Sequence, residues 1–308
     1  MYQPRRISRS EFVPIRNLDY HVRLWGEPAP DKVPLVMVHG WMDVAASWQF
    51  VVDALAHDHW VIAPDWRGYG LTGSGSAPVD NYWFADYLAD LDFLLDHYSP
   101  LQPVNLVGHS MGGNIVMLYA GSRPQRIRRL VNLEGFGMAT TRPEQAPGRY
   151  ARWMDELKAL HRGEKELKHY DSVDGVASRL MKTNRRLRQD QADWLARHWA
   201  RQEADGRWRI LGDPAHKIIN AHLYRVDESL EIFRAITAPT LSVEASDNSL
   251  EQWWQGKYTL AQYHERLTAV PDLASATIAD AGHMLHHDQP EALALVIENF
   301  LENPRTEP

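Results

Sequence analysis

The sequence predicts an α/β protein: a mainly parallel β-sheet flanked by helices and interrupted once by a helical insertion. Three observations predict it. Short apolar β-type runs alternate with helix-period patterns through the first 135 residues, and strands separated by helices are joined by crossovers that lay them parallel. From about Met138 to Arg234 this alternation stops, and helical patterns rich in Arg and Trp follow without intervening apolar strands. The alternation then resumes from Ala238 onward. The expected organisation is a core made of residues 1–137 and 235–308, with a helical cap at 138–234.

Each element has its own signal. FVPIR and YHVRLW, separated by Asn17, Leu18 and Asp19, read as a hairpin. VPLVMVHG (33–40), WVIAPDWRG (60–68), PVNLVGHS (103–110) and RLVNLEG (129–135) are apolar runs ending in Gly or polar residues, as strands buried on both faces should be. Between them, SWQFVVDALAHDH and NYWFADYLADLDFLLDHYS read as helices; in the second, Phe84, Leu88, Leu91 and Leu95 share one face. NIVMLYAGSRP continues as a helix after Ser110 and stops before Pro124. Beyond the insertion come a strand in APTLSVEASD (238–247), one helix-like segment in EQWWQGKYTLAQYHERL, a strand in ATIADAG (276–282) and a last helix in PEALALVIENFLEN.

Composition excludes several function classes. Of the 308 residues, 44% are hydrophobic and 24% charged, the balance of a globular protein with a sizeable core. A formal charge of −7 argues against general nucleic-acid binding, which needs basic residues to neutralise phosphates; a small or uncharged partner fits better. No cysteine is present, which removes disulfides, thiolate chemistry and cysteine-ligated metals. The N-terminal MYQPRRISRSEF has no apolar stretch behind its basic residues, and no apolar run reaches about 18 residues, so neither a secretory signal nor a transmembrane helix is expected. The expected setting is the cytoplasm, away from membranes.

The chemistry centres on GHSMG at 108–112, a match to G-x-S-x-G. In that pattern a sharp strand-to-helix turn exposes a serine hydroxyl above the sheet edge, and the flanking glycines let the chain pass. The strand before Ser110 and the helix after it are the context the mechanism requires. A neutral hydroxyl needs a base, and His283 in DAGHMLHHDQPE follows the final predicted strand, at the same sheet edge. Its neighbours His286 and His287 read as solvent-facing loop residues; with His283 they lack a convincing set of further metal ligands, so no metal site is expected. The base needs an orienting acid, and two stand at strand ends in the chain order nucleophile, acid, histidine: Asp247, the preferred candidate, and Glu134, the alternative. For the oxyanion of an acyl-transfer intermediate, the backbone N–H groups of Met111 and Trp41 are the candidate donors.

HGW at 39–41, DWRGYGLT at 65–72, GHSMGG at 108–113, PTLSVEASD and GHMLHHDQPE at 282–291 together resemble the α/β-hydrolase superfamily across nearly the whole chain. Its closest branch resembles the serine hydrolase-like proteins, similar in sequence to haloalkane dehalogenases and epoxide hydrolases. The resemblance implies an eight-stranded, mostly parallel sheet with the cap inserted after the sixth strand. Dehalogenases and epoxide hydrolases of the superfamily carry Asp where this chain has Ser110, so the resemblance implies an acyl-enzyme and hydrolysis of a carboxylic ester, thioester or related acyl bond, with no cofactor. The common acid position after the seventh strand corresponds to Asp247, whereas the position after the sixth, used in a dehalogenase branch, corresponds to Glu134. Asp65 and Arg67 read as a structural pair. Carbon–carbon bond hydrolysis of a diketone, a cofactor-free oxygenase and a non-catalytic ligand-binding protein are the alternative readings.

Overall fold

The computed structural model describes residues 2–30, 32–73 and 79–302. The chain enters through a hairpin: β1 (Arg9–Ile15) pairs antiparallel with β2 (Leu18–Trp25), in register Ile15 to Leu18. The apolar runs that follow become β3 (Leu35–Val38), β4 (Val61–Pro64), β5 (Val104–His109) and β6 (Ile127–Leu133). The intervening patterns become α1 (Gln49–Ala54), α2 (Phe84–Tyr98) and α3 (Met111–Ser122). On α2 the inward residues include Tyr87, Leu91 and Leu95, with Phe84 and Leu88 partly buried on the same core, as the helical spacing requires.

Between β6 and the next sheet strand lie α4 (Ala146–His161), β7 (His169–Tyr170), α5 (Val173–Thr183), α6 (Gln189–Trp199), β8 (Ala200–Gln202), β9 (Trp208–Ile210) and α7 (Val226–Arg234). The insertion therefore differs from the all-helical expectation: its three short strands form an antiparallel sheet in the order β7-β9-β8. Strands of two or three residues are too short to display a period-two pattern. Val176, Leu180, Leu187 and Leu195 of the insertion pack with Phe50 of α1 in a small core of their own. By contrast α7 lies against α3, where a Cβ on Gly121 would fall 2.0 Å from the Ile232 carbonyl oxygen, so that contact requires glycine.

The chain then forms β10 (Thr240–Ala245), α8 (Leu250–Trp254), α9 (Leu260–Leu267), β11 (Leu273–Ile278), α10 (Leu285–Asp288) and α11 (Pro290–Glu302). The single helix expected around EQWWQGKYTLAQYHERL is broken in two. Gln255 and Gly256 take left-handed conformations, and Thr259 starts α9 with a capping box to Gln262.

Among the described residues the main sheet has eight strands in the order β1-β2-β4-β3-β5-β6-β10-β11. Pairing is antiparallel at β1/β2 and β2/β4 and parallel from β4 to β11. Every residue of β3, β5 and β10 is buried, because apolar layers cover both faces. Asp65 and Arg67 are structural, yet they do not pair with each other. Asp65 binds His21 Nδ1 at 2.7 Å and the Ala45 N–H at 2.7 Å, while Arg67 holds Asp90 through Nε at 2.5 Å and Nη2 at 2.6 Å. No helix among the described residues is long and apolar enough to cross a membrane.

Candidate active site

The carboxyl ends of β5 and β6, and the loop after β11, meet at one sheet edge, the usual place for a site in an open α/β sheet. Ser110 stands between β5 and α3 with φ 54° and ψ −114°, a conformation disfavoured for any residue with a Cβ. The turn is held by the Ser110 N–H donating to the Leu133 carbonyl at 2.8 Å. A Cβ on Gly108 would lie 2.3 Å from the Gly112 carbonyl oxygen, and one on Gly112 2.5 Å from that of Val38. Both glycines are therefore fixed by the crossing of chain around the serine.

His283 Nε2 lies 2.9 Å from Ser110 Oγ, and its Nδ1 lies 3.2 Å from Glu134 Oε2. Glu134 is itself in the left-handed region at φ 56°, which turns its carboxylate back under the imidazole. Its Oε1 accepts the Ala245 N–H at 2.7 Å, and Ser249 Oγ stands 3.5 Å from Oε2 and 3.4 Å from His283 Nδ1.

Asp247, the acid preferred from the sequence, is elsewhere. Its side chain is 67% exposed and accepts both terminal nitrogens of Arg186 at 3.2 Å. The physical reason is the course of the backbone after β10: Ser246 and Asp247 continue pairing with Ile278 and Ala281, which sends the Asp247 carboxylate outward to the insertion. Sequence position cannot distinguish two acids at neighbouring strand ends.

Burial dominates the electrostatics. It pushes the Glu134 carboxyl up to about 8, against the lowering effect of the Ala245 N–H and Ser249 and with a small push from Asp247. Burial also holds the His283 imidazolium well below its ordinary range, while Asp43 opposes this. With Nδ1–H directed at Glu134, Nε2 presents its lone pair to the Ser110 hydroxyl, and the arrangement can move a proton from oxygen to nitrogen.

The remaining expected residues lie close by. Met111 is the first residue of α3, where backbone N–H groups have no partner within the helix. The Gly40–Trp41 turn runs against the serine: a Cβ on Gly40 would stand 3.0 Å from Ser110 Cβ, and Trp41 is 53% exposed.

Three neighbours escaped sequence reasoning. Ser249 bridges Glu134 and His283; the Trp253 ring meets the His283 ring edge-on at 4.2 Å; and His109 Nε2 donates to the His283 carbonyl at 2.7 Å. Only His109 carried a signal, as a member of GHSMG. His286 and His287, expected in solvent, are 1% and 3% exposed, because they lie within α10 and pack against the Trp48 and Phe50 rings.

Comparisons with known proteins identify the family. The chain is 24% identical to a serine hydrolase-like protein of Danio rerio over 302 residues, covering 96% of this chain and 90% of that one. It is also 24% identical to the esterase YbfF of Escherichia coli over 284 residues, 88% of this chain and 93% of the other. Its fold superposes on a thioesterase domain from the curacin biosynthetic pathway with a TM-score of 0.80 at 23% identity, over 95% of this chain and 99% of that one. A family model described as the alpha/beta hydrolase fold matches residues 33–290, and a match of that extent, on a sheet of this order, places the chain in the α/β-hydrolase family.

Proposed function

We propose that the protein is a serine hydrolase that cleaves a carboxylic ester, or a related acyl bond, of a small molecule through an acyl-enzyme on Ser110. The observation that carries this reading is the unbroken relay from Ser110 Oγ through His283 to Glu134, with spacings of 2.9 and 3.2 Å. Names of relatives that denote esterase and serine hydrolase activities support it.

In the first half-reaction Ser110 Oγ attacks the acyl carbonyl as His283 Nε2 takes its proton, and the carbonyl electron pair moves to oxygen. The Met111 and Trp41 N–H groups receive that oxyanion, each such donor contributing about 3 kcal/mol in comparable sites. Collapse expels the alcohol, protonated by His283, and leaves an ester on Ser110. Water, deprotonated by His283, then releases the acid by the same steps. Glu134 orients the imidazole and balances its transient charge. No step requires a cofactor.

Steady-state hydrolysis of short p-nitrophenyl esters tests the reading. Ser110→Ala is expected to lower kcat/KM by on the order of 10⁴-fold or more; turnover retained at the wild-type level defeats it.

A further inference from the structure

Beneath the His283 loop lies a buried polar cluster that acyl transfer does not use. Asp43 follows β3, and His286 and His287 belong to α10; all three are 3% exposed or less. Asp43 Oδ1 is fully engaged by the Val44 N–H at 2.8 Å, Trp199 Nε1 at 3.1 Å and the Ser47 hydroxyl. Asp43 Oδ2, both ring nitrogens of His286 and Nε2 of His287 have no hydrogen-bond partner. Four buried polar atoms that make no hydrogen bond within the protein, gathered at one point in a well-packed core, need an explanation.

Their arrangement supplies one. One donor atom from each of the three residues lies within 4.8 Å of the others. Asp43 Oδ2 stands 3.5 Å from His286 Nε2, close to the ~3.4 Å between two ligands on a tetrahedral ion with bonds of about 2.1 Å. The other separations are at most 4.8 Å, so binding an ion draws the ligand atoms together by up to about 1.4 Å. Two imidazoles and a carboxylate form a donor set that suits Zn²⁺, Co²⁺ or Ni²⁺ and not the oxygen-seeking Mg²⁺ or Ca²⁺. The Trp199 and Ser47 hydrogen bonds to Oδ1 orient the carboxylate from behind, as outer partners of metal ligands do.

We propose that Asp43, His286 and His287 form a three-ligand site for a first-row divalent transition-metal ion, with the fourth position taken by water. The site shares no residue with the acyl-transfer relay and touches it through His109. The His109 ring lies 4.3 Å from that of His286, and its Nε2 holds the His283 carbonyl. An ion here ties α10 to the turn after β3 and, through Trp199, to the insertion.

The test uses the full chain, freed of metal with a chelator and titrated with Co²⁺, then Zn²⁺. One equivalent of Co²⁺ should give the visible absorption of a four-coordinate ion, Zn²⁺ should displace it, and Zn²⁺ should raise Tm. Asp43→Asn retains the acceptor for Val44, Ser47 and Trp199 while removing the ligand oxygen, and His287→Gln removes a nitrogen. Each is expected to weaken Co²⁺ binding by at least tenfold and to abolish that absorption. Absence of a one-equivalent spectrum in the wild type overturns the proposal whatever the variants do. So does wild-type affinity in whichever variant folds, which would place the ion on surface histidines. The readout is independent of hydrolysis, so failure of either proposal leaves the other standing.

Discussion

Glu134 carries opposite consequences for activity and for stability. Buried at 2% exposure, its carboxyl takes up protons in the fold up to about pH 8, against an ordinary value of 4.5. Its folded pKa is raised, so folding binds a proton between these limits, and this residue's contribution to stability falls as pH rises through that window. Glu134→Gln, which keeps an acceptor for Ala245, should lose less Tm between pH 6 and pH 9 than the wild type; an identical loss counts against the buried acid. The same variant should reduce kcat/KM by on the order of 10³ to 10⁴, while Asp247→Asn, an exposed ion-pair partner, should stay within roughly threefold. In the proposed mechanism the working state is an ionised Glu134 beside a neutral His283, so protonation of the pair as a unit sets the acid limb of kcat/KM. Without the carboxylate only the imidazole titrates, with its pKa lowered by burial, and the limb should move to lower pH. Ser110 and His283 were legible because each sits in a local pattern that dictates its backbone. The choice of acid was illegible because Glu134 and Asp247 both end strands, and only the left-handed turn at Glu134 and the continued pairing at Asp247 decide where each carboxylate points.

The elements read from periodicity were those long enough to show it. The strands β3 to β6 and the helices α2 and α3 announced themselves as continuous apolar runs or one-sided patterns. The short strands β7, β8 and β9 did not, since they are set by mutual pairing and by the small core around Leu180 and Leu195. The break between α8 and α9 did carry a signal, in Gly256 and the Thr259–Gln262 capping box, masked by helix-period residues on either side. At this scale the α3–α7 contact gives a sharp test. A methyl on Gly121 would collide with the Ile232 carbonyl, and Gly121→Ala should cost about 1–3 kcal/mol of stability, measured by denaturant unfolding, although alanine favours helices elsewhere. An unchanged midpoint would mean that α7 is not seated on α3.

Across the whole molecule, the hairpin, the segment after β4 and α2 are joined by one buried acid. Asp90 has a fully buried side chain and accepts from Tyr20 at 2.6 Å, Arg16 at 3.0 Å and Arg67 at 2.5 and 2.6 Å. Asp90→Ala leaves the nearly buried Arg67 without its bidentate partner, with Asp86 at 3.9 Å as the remaining counter-charge, and should destabilise the fold by about 3 kcal/mol; chemical denaturation measures it. Sequence alone pointed to Arg67 as structural but named the wrong partner, because Asp90 lies on α2 and the contact exists only once that helix packs on the sheet edge. The same long-range closure brings residues 110, 134 and 283 together from the loops after three separate strands, and the central claim is that this closure makes Ser110 an acyl acceptor. Peptide mass analysis of protein mixed with p-nitrophenyl acetate and quenched in acid within the first turnovers tests it most directly. The expected result is one acetyl group on the Ser110 peptide, absent in Ser110→Ala; an acetyl group carried elsewhere while Ser110 stays unmodified would contradict it.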